Sequence, residues 1–139
     1  MSTTFVWPVR VYYEDTDTAG VVYYANYLKF MERARTEWLR SFGFEQDVLI
    51  RDEKLIFAVR SISVDYRRPA LFNDALEVTA RIKQFGKASI DFEQTVIRNN
   101  QGKEELLASG KIKLACLDSE SLRPKPLPSA IAEVLLSVR

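Results

Sequence analysis

A single stretch of helical period stands ahead of a run of alternating segments, and that order leaves few ways to fold. Over residues 26–42 the apolar side chains recur at about 100° per residue: Tyr27, Leu28, Met31, Ala34, Trp38, Leu39 and Phe42 share one broad arc, while Lys29, Arg33, Thr36 and Arg40 face away. Gly43 follows as a natural helix stop, because glycine takes the left-handed conformation at a helix end without steric cost. So wide and aromatic a stripe needs cover along one side. Arg35 falls inside this arc, one turn from Glu32. It is open to three readings: a snorkelling side chain, a local partner of Glu32, or a prop for a loop carboxylate.

The cover is supplied downstream. "LEVTARIK" at 76–83 and "ASIDFEQTV" at 88–96 alternate strictly, and "GKIKLAC" continues the habit, as half-buried strands do. "QFGK" around Gly86 and "NNQG" ending at Gly102 are hairpin signals. In "IFAVRSISVDY", residues 56–66, the apolar parity switches near Arg60, which predicts a bulge in a curved strand. Upstream, residues 6–14 form a first strand with Trp7, Val9, Val11 and Tyr13 on one parity. The order is then strand, long helix, irregular segment, and a meander of about four antiparallel strands. This is an α+β domain, a curved antiparallel sheet wrapped around one long helix. "PSAIAEVLLSV" adds a short amphipathic pattern after "RPKPLP".

At 139 residues the chain suits one domain, 1–139, and 47% hydrophobic residues supply its core. A net charge of +1 gives no basic excess for nucleic acid. No window approaches the roughly 18 apolar residues of a membrane span, and the first residues lack the cationic flank and apolar run of a leader, so a cytoplasmic protein is expected. The lone cysteine, Cys116, shares its parity with Ile112 and Leu114 and reads as a buried core thiol.

The sequence has no histidine. That excludes a Ser-His-Asp triad, a Cys-His pair and an HExxH zinc helix, so catalysis must rest on carboxylates, hydroxyls, Lys, Tyr, backbone amides or a cofactor. Attention falls on "YYEDTDTAGVVYYANY", residues 12–27, between the first strand and the helix. Its Asp and Thr residues before Gly20 are good turn formers, and a capped loop would account for them. A carboxylate near a helix N-terminus, however, faces free N–H groups that can receive a developing oxyanion. Those are the parts that acyl transfer needs without histidine.

The segment "YYEDTDTAGVVYYANYLKFMERARTEWL" resembles the signature of the hydroxybenzoyl-CoA thioesterase branch of the hot-dog fold, and most nearly the Tol–Pal-associated, YbgC-like acyl-CoA thioesterases. The likeness runs along the chain, through "WPVRVYYEDTD", "VDYRRPALFNDALEV" and "GKASIDFEQTVIR". It implies a curved sheet around a central helix, paired subunits with sites at their interface, and a homodimer or tetramer. It also implies that the second Asp of D-x-D, Asp17, is the catalytic carboxylate, and that the backbone N–H of Tyr24 is the oxyanion donor. Many Tol–Pal-type members have His where this chain has Tyr24; the hydroxybenzoyl branch has Tyr.

Asp17 would attack a thioester carbonyl to form a mixed anhydride, or activate water as a general base. Asp15 and Glu14 are then structural neighbours, and Glu32 is the second-choice carboxylate. Coenzyme A, part of the substrate, brings phosphates, for which Arg67, Arg68 and Lys87 are the candidate cations, with Ser89 as a hydrogen-bond donor. Acyl carrier protein is an alternative carrier, and no metal or prosthetic group is required. The competing readings are a non-catalytic acyl-CoA or acyl-carrier-protein binding module and a structural interaction protein. A dehydratase is disfavoured by the missing histidine.

Overall fold

The computed structural model describes residues 4–139. Its strands are β1 (Phe5–Arg10), β2 (Leu55–Tyr66), β3 (Ala75–Phe85), β4 (Ser89–Asn100) and β5 (Lys103–Asp118), and its helices α1 (Asn26–Arg40), α2 (Gln46–Glu53) and α3 (Ser129–Val138). All five strands join one antiparallel sheet in the order β1-β3-β4-β5-β2. The meander is therefore three strands, β3-β4-β5, rather than four. β2 crosses to the far edge to pair with β5, and β1 closes the other edge against β3.

α1 forms where its period predicts. Tyr27, Phe30, Met31, Ala34, Arg35, Trp38 and Leu39 are buried, a spacing of three and four that makes one continuous stripe. Phe30 joins the stripe, while Phe42, beyond the last helical turn, is 38% exposed. The stripe packs on alternate residues of the sheet: Leu76, Val78, Ala80 and Ile82 of β3, Ile90, Phe92 and Val96 of β4, and Ile112 and Leu114 of β5. Each fully buried side chain of this size contributes about 1.5–3 kcal/mol. Gly110 lets the helix come close, since a Cβ there would lie 3.1 Å from the Met31 sulfur.

Three local expectations are revised, and two are met. The first strand stops at Arg10 because the chain turns: the Tyr12 N–H donates to the Asp15 carboxylate at 2.8 Å, a 3-10 turn follows over Tyr13–Asp15, and Tyr13 is 80% exposed. The segment after Gly43 is not irregular but carries α2, whose only buried residue is Leu49, too little apolar pattern to announce a helix. The break near Arg60 is real, with the β2–β5 register shifting between Val59 and Ser61. Arg35 neither snorkels nor props a loop carboxylate: its Nη1 donates to Gln94 Oε1 of β4 at 2.9 Å. Cys116 is fully buried, and burial pushes its thiol up to about 11.

Candidate active site

The loop between β1 and α1 is a small hairpin tied by its own backbone. The Asp17 N–H donates to Val21 O at 2.9 Å, Gly20 N–H to Asp17 O at 3.0 Å and Tyr23 N–H to Asp15 O at 3.0 Å. Gly20 takes φ +81°, which a side chain would oppose. Asp17 sits exposed at the turn, and its Oδ1 accepts the Ala19 N–H at 2.9 Å, leaving Oδ2 without a protein partner among the described residues. Thr16 is a turn hydroxyl, donating to Tyr13 O. The Asp15 carboxylate is spent on Tyr12, so Asp15 is structural.

The hairpin delivers the chain to α1. Asn26 anchors the entry, its side chain donating to Asp15 O at 2.9 Å. No side chain caps the helix at Ala25. The N–H groups of Asn26, Tyr27 and Leu28 reach back to Tyr23, Tyr24 and Ala25 carbonyls, whereas those of Tyr24 and Ala25 have no acceptor among the described residues. Two free donors thus stand at the positive end of a fifteen-residue helix, where negative charge is favoured.

Beside them lies a groove of about 260 Å³ lined by Val22, Tyr24, Tyr27, Tyr66 and the pair Arg67 and Arg68. The Tyr66 hydroxyl donates to Tyr24 O at 3.0 Å, and the Tyr27 hydroxyl accepts the Ala70 N–H at 2.9 Å. Burial raises both phenols above their usual value. The wall behind is braced by Arg98, which donates to Asp74 at 2.7 Å and to Glu105 at 3.3 Å. Hydrogen bonding to Asp74 holds Arg98 above its usual value, and Arg98 holds Glu105 below the carboxylate range. Arg67 and Arg68 are exposed and paired with Asp65 and Glu105, ion pairs of little worth in water that a phosphate can displace.

Residues 11–135 match the family model of the thioesterase-like superfamily. The chain belongs to that superfamily. Within it the chain falls in the YbgC-like group: YbgC of Haemophilus influenzae, an acyl-CoA thioesterase, is 42% identical over 127 residues, 91% of this chain and 90% of its own. A probable thioesterase from Bartonella henselae is 35% identical with a TM-score of 0.84, covering 91% of this chain and 100% of that one. A 4-hydroxybenzoyl CoA thioesterase mutant complexed with 4-hydroxybenzoyl CoA is 20% identical with a TM-score of 0.89 over 95% of this chain and 98% of its own, a likeness of fold alone. The chain is therefore a hot-dog-fold thioester hydrolase, as its sequence motif implied.

Set on this thioesterase framework, the expected site residues divide. Tyr24, Arg67 and Arg68 line one groove at the entry to α1, whereas Asp17 sits at the turn of the hairpin that leads to it and is not part of that groove's lining. Lys87 and Ser89 lie at the β3–β4 hairpin, where the Gly86 N–H donates to Ser89 O and the Leu127 N–H to Lys87 O. Ser89 pairs with Ala115 of β5, whereas Arg67 and Arg68 bind the Leu107 carbonyl; those positions are about 26 Å apart along an extended strand. One chain does not bring the two pairs together. Glu32 lies about 12 Å along α1 from Tyr24, lining a different cleft. Sequence reasoning missed Tyr66, which holds the Tyr24 carbonyl from the end of β2; only the fold joins positions so far apart. Among the described residues no helix is long and apolar enough to cross a membrane.

Proposed function

We propose that this thioesterase hydrolyses acyl-CoA, with Asp17 as nucleophile or general base and the Tyr24 amide as oxyanion donor. The observation that carries the reading is the pair of unpaired N–H groups at Tyr24 and Ala25, presented by the same hairpin that holds Asp17. A carbonyl oxygen gaining negative charge there would meet fixed donors and the helix dipole, worth about 3 kcal/mol per good donor. In the nucleophilic route an Asp17 oxygen bonds to the thioester carbon, the C–S bond breaks and CoA leaves as thiolate. Water then cleaves the mixed anhydride to free acid. In the alternative, Asp17 takes the proton from a water that attacks directly. A thiolate leaves without a general acid, so the lack of histidine does not impede either route, and neither needs a metal or prosthetic group.

Arg67 and Arg68, on the groove that includes Tyr24, would meet the phosphates of coenzyme A. Lys87 and Ser89 would join them from a second copy. That copy fits the free edge of β2, a twelve-residue strand with Val59, Ile62 and Tyr66 exposed; such edges invite pairing. The assembly is a homodimer on this account, and a tetramer by its resemblance to hot-dog relatives. The enzyme works in the cytoplasm on this reading, with acyl carrier protein as the alternative carrier of the acyl group.

The test is thiol release from short-chain, long-chain and aromatic acyl-CoAs by the wild type, Arg68→Ala and Lys87→Ala. Turnover of at least one thioester, with KM raised in the variants at little cost to kcat, is expected. No turnover of any thioester defeats the assignment.

A further inference from the structure

A second feature of α1 is not used by the hydrolysis. Arg35 stands on the buried stripe at only 8% exposure. Its guanidinium has five N–H donors in a planar fork, yet makes one hydrogen bond, to Gln94 Oε1. Gln94 is itself buried, and its amide nitrogen is committed to Met31 O at 3.0 Å and Thr79 O at 3.1 Å. No acidic oxygen among the described residues lies within 4.0 Å of the guanidinium. A buried charge is costly unless paired, and a single neutral amide is a weak partner.

The unmet donors border a cleft between α1 and the strands β2, β4 and β5, walled by Trp38, Phe57, Ile90, Phe92 and Leu114. Its volume is about 100 Å³, smaller than the ~150 Å³ cavity that takes benzene and equal to about three water-sized groups. That suits the three non-hydrogen atoms of a carboxylate, with a short tail leaving along the apolar wall. Glu32 is the other charged residue on the cleft. Burial pushes the Arg35 guanidinium down and Glu32 pulls it back up, and an arginine so placed stays charged at neutral pH.

We propose that this cleft binds a short aliphatic carboxylate, its two oxygens held by the Arg35 fork and its chain by the aromatic wall. The planar fork matches a carboxylate two bonds at a time, and the wall matches an alkyl chain better than it does inorganic phosphate. The cleft lies about 16 Å along α1 from Tyr24, so an occupant leaves the helix entry of its own chain free. Given the hydrolysis proposed above, on which this last link alone rests, the ligand has the chemistry of the acid product.

Isothermal titration of the intact protein with butyrate and with neutral, isosteric butyramide tests the site without turnover, so it stands or falls separately from thioesterase activity. Butyrate should bind the wild type at least tenfold more tightly than butyramide. Arg35→Met should remove at least tenfold of the butyrate affinity, Arg35→Lys should keep part of it, and Glu32→Gln should strengthen it. Equal affinity for the two ligands, or no saturable butyrate binding by the wild type, overturns the proposal even if the Met variant fails to fold.

Discussion

Gln94 is the side chain through which the sheet grips the helix, and Gln94→Leu should expose how much that grip is worth. The change removes the acceptor of Arg35 and the donors to Met31 O and Thr79 O. The bond to a charged group is worth about 2 kcal/mol and the two neutral bonds about 1 kcal/mol each. Leucine returns about 1–1.5 kcal/mol by burying apolar surface in a site that is 1% exposed. The net loss is about 3 kcal/mol. For 139 residues the unfolding entropy is about 0.3 kcal/mol/K, so the melting temperature should fall by about 10 °C. Urea unfolding at fixed protein concentration reads the same quantity as a lower midpoint with unchanged slope. The double variant Arg35→Met/Gln94→Leu should recover more than half of the loss, because replacing both partners by apolar groups is nearly neutral while stranding one is not. A single-variant loss below about 1 kcal/mol, or no recovery in the double variant, would refute this account of the core.

Gly110→Val should cost about 1–3 kcal/mol in urea unfolding, since the new side chain enters the space held by Met31. Cys116 should resist thiol reagents at pH 8 until the protein is denatured, as its thiol is held up to about 11. The raised thiol and the raised phenols of Tyr27 and Tyr66 keep more protons in the folded state. Stability should therefore be unaffected below pH 9 and should decline as the pH climbs from about 9 toward 11, measured by urea midpoint. Tyr66→Phe deletes the bond to Tyr24 O and should lower kcat about fivefold, equivalent to about 1 kcal/mol, with little change in melting temperature.

The helix and its stripe were legible because seven buried residues repeat within one local segment. The strands were legible for the same reason, and the parity switch at Arg60 marked the bulge. Sheet order was not, because alternation says which face a residue takes and nothing about which strand it meets; β2 pairs with the last strand rather than the next. Arg35 and Gln94 show a signal that could have been used. Each is a polar residue on an otherwise apolar face, one on α1 and one among Ile90, Phe92 and Val96 on β4, and two such faces that must pack invite the two to pair. At the site, the D-x-D motif pointed to Asp17 and the family resemblance to the Tyr24 amide, because both lie in one short segment just ahead of the helix. Tyr66 and Arg98 support that entry from distant parts of the chain and carry no local mark.

The central claim is that Asp17 performs the chemistry, and single-turnover thiol release from a good acyl-CoA substrate by wild type and Asp17→Asn tests it most directly. Asparagine keeps an oxygen for the Ala19 N–H, so fold and substrate affinity should survive. The account predicts a rate lower by about 10²–10⁴-fold, with melting temperature and KM close to those of the wild type. A folded Asp17→Asn variant that turns over within about threefold of the wild-type rate would contradict it.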